Sequence, residues 1–255
     1  MTNPAPDPAA LDAWLHLSSP RVRFLKSLPA GSTVLDLGAG EGSLGLFKSW
    51  LSPQREDLRM FAVSLVDGPH KNLYEAWENG DFETADPFPG RVFDAIYAAH
   101  FAEHITGGVE RVLAWIATRI APQGRVYVEM PSAFSRTGPR CAALRAAGHN
   151  VSTTNFHDDN THKETVDLDT LRSAMRGHGL FVEESGYWRN PYLESTLFEL
   201  ARRTDDRFHA TVAVWMATRF AQYAMAVKDD VDTPRWGLTE LHAFVSDSHE
   251  GDFRR

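Results

Sequence analysis

The chain carries one cysteine, Cys141, among 255 residues, so no internal disulfide can form. It also lacks an excess of positive charge: 26 Lys and Arg stand against 34 Asp and Glu, a net −8 at pH 7. Non-specific attraction to nucleic acid or to an anionic membrane is therefore disfavoured over the surface as a whole. The longest apolar run, Thr211 to Val227, is interrupted by Arg219 and Gln222. It falls short of the roughly 20 apolar residues of a membrane span and is expected to form a helix of a globular protein. The opening Met-Thr-Asn-Pro-Ala-Pro-Asp-Pro has neither the basic nor the apolar region of a signal peptide. With the lone cysteine, this predicts a cytoplasmic protein. Repeats and low-complexity tracts are also missing. What remains is ordinary globular composition, with 43% hydrophobic and 24% charged residues, and enough length to bury a substantial core. One domain over residues 1–255 is expected, with an N-terminal helical extension over 1–30 and a helical cap over 187–230.

The most informative stretch is Ser32 to Gly45, Ser-Thr-Val-Leu-Asp-Leu-Gly-Ala-Gly-Glu-Gly-Ser-Leu-Gly. An apolar strand runs into Gly38, Gly40 and Gly42 and then into a helix start. Glycine at such a turn lets a ligand approach the main chain at the carboxyl end of the strand. Asp36 places a carboxylate where an ammonium would be welcomed and a diphosphate repelled, and Ser43 stands where a dinucleotide-binding turn has its third glycine. The second strand, Met60 to Val66, ends in Asp67-Gly68, an acid placed to accept hydrogen bonds from ribose hydroxyls.

Helical spacing marks Leu11, Trp14, Leu15 and Leu17, then 21–28, 44–51 and 72–77. Further strands are expected at Val92 to Ala99, Arg125 to Met130 and Leu180 to Glu184, with a helix over Thr170 to Gly177. Two helices, Leu193 to Arg203 and Phe208 to Val227, are expected next, their apolar stripes serving as core or as a homodimer interface. A last strand is expected at Glu240 to Val245.

Directly after the 92–99 strand comes His100-Phe101-Ala102-Glu103-His104-Ile105. On a helix, residues 100, 103 and 104 would share a face, where two imidazoles and a carboxylate form a base, a metal face or a packed polar cap. The long segment Ser132 to Val166 holds Phe156-His157-Asp158-Asp159-Asn160-Thr161-His162-Lys163 and can fold over the same cleft.

Residues Val34 to Gly42 resemble the first motif of the class I S-adenosylmethionine (SAM) methyltransferases. Phe93-Asp94-Ala95-Ile96-Tyr97 resembles the fourth strand of that family, and the likeness extends from Thr33 to about Val182. The resemblance implies an α/β, Rossmann-like, doubly wound sheet of seven mostly parallel strands, with a helical insertion before the last strand. It implies SAM as cofactor, with Asp36, Gly38, Ala39, Gly40, Asp67 and Gly68 around it, Asp86 accepting from the adenine amino group, and His100 at the edge of the site.

In quinone-pathway O-methyltransferases and in methyltransferases of small-RNA 3′ ends, a Glu-x-x-Glu-His face binds a divalent metal, and in the RNA enzymes a later histidine completes the site. This chain resembles that pattern through Glu103, His104 and His162, and carries His100 where those families have Glu. A metal set of His100, Glu103, His104 and His162 would favour zinc, iron or manganese over magnesium. Without a metal, His104 is the first choice of base and His162 the second. The expected reaction is methyl transfer to a hydroxyl, or other nucleophile, of a small molecule such as a sugar or natural-product intermediate. A scaffold that binds SAM or its product without turnover is the alternative, and an RNA 3′ end is a less favoured acceptor on this acidic chain.

Overall fold

The computed structural model describes residues 7–50 and 52–228. Its strands are β1 (Thr33–Leu37), β2 (Arg59–Ser64), β3 (Ala76–Asn79), β4 (Phe93–Ala99), β5 (Ile120–Pro131), β6 (Leu180–Tyr187) and β7 (Ala221–Lys228). They form one sheet in the order β3-β2-β1-β4-β5-β7-β6. The pairs from β3 through β5 are parallel, and β7 lies antiparallel to both β5 and β6. The chain winds outward from β1 through β2 to β3, then crosses to β4 on the other side of β1. This reversal opens a crevice above the carboxyl ends of β1 and β4, where an α/β sheet receives its ligand.

Period-two alternation divides the strands between two cores. Leu35, Leu37, Phe61, Val63, Ile96 and Val128 pack on one face, beneath α4 (Gly108–Arg119) and α6 (Leu168–Gly177). Val34, Met60, Ala62, Ala95, Tyr97 and Tyr127 pack on the other, beneath α2 (Pro20–Ser27) and α3 (Ser43–Ser49). Both faces are covered, so the strands read as continuous apolar runs. A third cluster joins α1 (Pro8–Ser18) to α7 (Pro191–Thr204) and α8 (Arg207–Thr218) through Leu11, Leu15, Leu197, Val212 and Met216. The apolar stripes of α7 and α8 are thus buried within the chain, each large side chain contributing about 1.5–3 kcal/mol.

Several boundaries differ from expectation. Residues 72–77 were expected to be helical, but only a single 3-10 turn, Lys71–Leu73, precedes the short edge strand β3. Residues 208–227 are not one helix. Arg219, at φ 55°, caps α8 in the left-handed region, and β7 follows at once. β7 lies between β5 and β6 and is buried along most of its length, so its sequence lacks the alternation that marks a half-exposed strand. The strand expected at 240–245 lies outside the described residues. Segment 132–167 holds a short helix, α5 (Cys141–Ala146), and 3-10 turns at Ala133–Arg136 and Phe156–Asp158. Asp158 ties this segment together, its Oδ2 accepting from the backbone N–H of Cys141 (2.9 Å), Thr154 (3.0 Å) and Asn155 (2.9 Å).

Candidate active site

The glycine-rich turn leaves β1 with positive φ at Gly38 (80°), Gly40 (54°) and Gly42 (79°). The N–H groups of Gly38 and Ala39 both donate to the Val63 carbonyl at 2.9 Å, so these amides fasten the turn to β2 and are not available to a ligand. A Cβ at Gly38 would collide with the Phe101 ring at 2.5 Å, whereas one at Gly40 would meet nothing nearer than the Gly38 carbonyl oxygen at 4.0 Å. Gly38 therefore makes room for an aromatic lid, and Gly40 keeps a cradle open. The cavity in front of them measures about 650 Å³, and its lining includes Gly38, Gly40, Ser64, Asp81, His100 and His104. Its size and its place above β1, β2 and β4 suit a nucleoside-bearing cofactor.

The acids singled out in the sequence are placed differently. Asp36 is 3% exposed and accepts from Tyr74 Oη at 2.6 Å. Burial pushes its carboxyl up to about 7, against the opposing pull of the Tyr74 hydrogen bond. Asp67 pairs with Lys71 and accepts from Asn79 Nδ2 at 2.9 Å. Asp86 accepts from Trp115 Nε1 at 2.9 Å and pairs with Arg119. Gly68 lies against the turn itself, since a Cβ there would stand 2.5 Å from the Gly40 carbonyl oxygen. None of Asp36, Ala39, Asp67, Gly68 and Asp86 lines the cavity. β2 ends at Ser64, three residues before Asp67, and Ser64 takes the wall position. Asp81, after β3, is an exposed carboxylate on the wall, and the neighbouring Glu83 also lines it but is already engaged by Thr106, Arg111 and Lys163. Asp81 Oδ1 accepts from the Glu83 N–H at 2.9 Å.

At the other end of the cavity, β4 stops at Ala99 and His100 turns the chain at φ 51°, its N–H donating to the Glu129 carbonyl at 2.8 Å. A non-glycine residue held there stores strain that the surroundings must support. The expected helix over 100–104 reduces to a 3-10 turn, Ala102–His104. It still brings Glu103 and His104 together with His162, one ligand atom from each lying within 4.8 Å of the others. His100 is not part of this group. Its Nδ1 lies 3.1 Å from Glu103 Oε1. Its Nε2 lies 3.0 Å from Glu129 Oε1, close enough for an ion pair but without the alignment of a hydrogen bond. Burial lowers the His100 pKa, but its contacts with the two carboxylates outweigh that and raise it to about 9. His100 is therefore a cation at neutral pH. Arg21 and the Tyr127 hydroxyl also reach Glu129, completing a buried network under the cavity floor.

The tautomers of the paired imidazoles follow from their partners. His162 Nδ1 lies 2.6 Å from the Phe156 carbonyl oxygen, which only accepts, so that nitrogen carries the hydrogen. Thr161 Oγ1 lies 2.6 Å from Asp159 Oδ1, which takes its proton. The hydroxyl lone pair, 2.8 Å from His104 Nδ1, then receives the histidine N–H. When neutral, both rings keep a lone pair on Nε2. Beside them, Glu103 is fully buried, and its Oε2 has no hydrogen-bond partner. Two imidazole lone pairs and an unspent carboxylate oxygen are the donor set of a borderline divalent cation.

Asp81, Ser64, Arg21 and Glu129 escaped the sequence reading. A Gly80-Asp81 pair closing a strand could have drawn notice to Asp81 had β3 been recognised as a strand, whereas Arg21 and Glu129, 108 positions apart, gave no local signal.

A family model described as a methyltransferase domain matches residues 13–185. No curated protein matches the chain. Among solved structures, a putative sarcosine dimethylglycine methyltransferase from Galdieria sulphuraria is similar at TM-score 0.55 and 17% identity, over 87% of this chain and 86% of that one. A SAM-dependent methyltransferase from Archaeoglobus fulgidus is similar at TM-score 0.53 and 18% identity, over 83% and 93%. A cyclopropane synthase from Mycobacterium tuberculosis is similar at TM-score 0.50 and 12% identity, over 85% and 82%. At these identities the likeness is one of fold.

Proposed function

The chain belongs to the class I SAM-dependent methyltransferases, and on that premise we propose that it transfers a methyl group to a hydroxyl of a small molecule, with Glu103, His104 and His162 holding a divalent cation. SAM supplies a sulfonium methyl that is already a strong electrophile, so the chain's task is alignment, for which effective-molarity gains approach roughly 7–11 kcal/mol. Gly40 leaves space before the main chain for the cofactor, and Ser64 and Asp81 on the cavity wall would supply a hydroxyl and a carboxylate to its polar groups. Phe101, packed on Gly38 and edge-on to Phe82 at 5.3 Å, excludes water from one side. A bound cation would lower the pKa of a hydroxyl that approaches it. Thr161 and the Phe156 carbonyl hold the two imidazoles with Nε2 free, and Glu103 keeps Oε2 unspent.

The observation that carries the cation is the fully buried Glu103 Oε2 with no partner, because an unpaired buried carboxylate oxygen is costly unless something occupies the space before it. The test is metal analysis of the purified protein alongside an assay of S-adenosylhomocysteine (SAH) release over a panel of hydroxyl acceptors. About one zinc, iron or manganese ion per chain is expected, together with activity that chelators remove and one of these metals restores. Chelator-resistant turnover that is lost in His104→Gln would overturn the cation and assign proton removal to His104. A chain that binds SAM yet releases no SAH with any acceptor would favour a non-catalytic scaffold.

A further inference from the structure

A second cavity, of about 480 Å³, opens beside the first, between α1, the start of α3 and α8. Phe47, Trp50, Trp188, Phe208 and Trp215 line it, with His16 packed 4.1 Å from Trp50 between ring centroids. It abuts the cofactor cavity across one pair of side chains. Ser43, one residue beyond Gly42, is part of its wall, and Trp215 stands 5.0 Å from His100, which lines the other cavity. Segment 132–167 joins the two sites chemically, supplying Ser152 here and His162 to the cluster.

Its electrostatics set it apart from the rest of the molecule. In a chain of net charge −8, neither Asp nor Glu lines this cavity, and Arg21 and Arg207 both do. Arg21 is committed to Glu129 and lies over the Trp188 ring, 5.4 Å from its centroid. Arg207 differs: its Nε donates to Asn150 Oδ1 at 3.0 Å, and no carboxylate pairs with it among the described residues. Its terminal nitrogens keep a fork suited to a planar oxyanion. Trp188 adds an indole N–H that is buried without an acceptor.

We propose that this cavity is the acceptor subsite and that it selects a small planar acid, one or two rings wide, whose carboxylate pairs with Arg207 and whose ring lies among the tryptophans. The inference rests on the methyltransferase reading for the word acceptor, and on the cavity alone for the ligand class. The ring face matches the flat indoles, as aromatic pairs prefer offset or edge contacts. The volume lies in the range of small-molecule sites.

The experiment is calorimetric titration of the full chain with 1-hydroxy-2-naphthoate and with its neutral amide, in the absence and presence of SAH. The acid is expected to bind at least tenfold more tightly than the amide, a charge-assisted preference. Arg207→Gln should abolish the difference, and Arg207→Lys should retain part of it. Equal binding of the two probes to the native chain would overturn the inference, as would an Arg207→Gln chain that discriminates as the native one does. Failure to bind SAH, with the acid preference intact, would count against the methyltransferase reading and not against the subsite.

Discussion

His100 Nδ1 lies 3.1 Å from Glu103 Oε1, joining a residue of the cofactor-cavity wall to a carboxylate that is fully buried behind it. The same imidazole reaches Glu129 on its other side, so His100 and Arg21 together face the two buried carboxylates. Replacing His100 with a neutral side chain leaves Arg21 as the remaining counter-charge in the network. His100→Gln is expected to destabilise the fold by about 3–5 kcal/mol, the usual cost of breaking a buried pair. Urea unfolding would measure this, and a loss below about 1 kcal/mol would show that the network does not depend on the charge.

SAM affinity should separate the acids at the cavity from those turned away from it. Asp81→Asn is expected to weaken SAH binding by about 10–100-fold, as for a lost hydrogen bond to a charged group. Asp67→Ala and Asp86→Ala should each change it by less than about threefold, since Asp67 is engaged by Lys71 and Asn79 and Asp86 by Trp115 and Arg119. Calorimetric titration with SAH decides. The reverse ranking would support the assignment to Asp67 and Asp86 suggested by the sequence.

Thr161 acts through His104. Removing its hydroxyl leaves His104 Nδ1 without its 2.8 Å partner and frees the ring to turn. Thr161→Val is expected to lower turnover by about 10–100-fold, the range seen for groups that orient a metal ligand. Thr161→Ser should recover most of that loss, which a purely steric role for the threonine methyl would not allow. Steady-state kinetics of the three proteins make the comparison.

His209 joins α8 to α1. Its Nε2 lies 2.7 Å from Asp12 Oδ1 and its Nδ1 2.8 Å from Asp206 Oδ2. Burial lowers its pKa, but the two carboxylates outweigh that and raise it above 6.5. A raised folded pKa contributes stability that is fully present below the unfolded value and is lost as pH rises through the folded value. The stability gap between the native chain and His209→Gln should therefore be widest at about pH 5–6 and shrink toward alkaline pH. Melting curves across that range test it, and a gap independent of pH would mean that the clasp holds by packing alone.

The sequence by itself determined the scaffold and the cofactor turn. β1 runs from Thr33 to Leu37 as the apolar run required, and the three glycines turn through positive φ where the backbone has to reverse. Both are local matters, settled by hydrophobic period and by the lack of a Cβ. Of the four residues singled out by type, His100, Glu103, His104 and His162, folding brings one ligand atom of each of the last three within 4.8 Å, across 58 positions of chain, and leaves His100 outside the group. Only the tertiary structure decided which acids face the cavity. Asp36, Asp67 and Asp86 carry the same side chain as Asp81, but they are held by Tyr74, Lys71 and Trp115 away from the cavity lining, whereas Asp81, held through the Glu83 N–H, lies on it. It likewise decided that 221–228 is a strand, because an apolar run buried on both faces carries no period, and that Arg207 stands without a carboxylate partner among the described residues beside a wall of tryptophans. Partners far apart along the chain are chosen by packing, and packing is not a property of any single stretch of sequence.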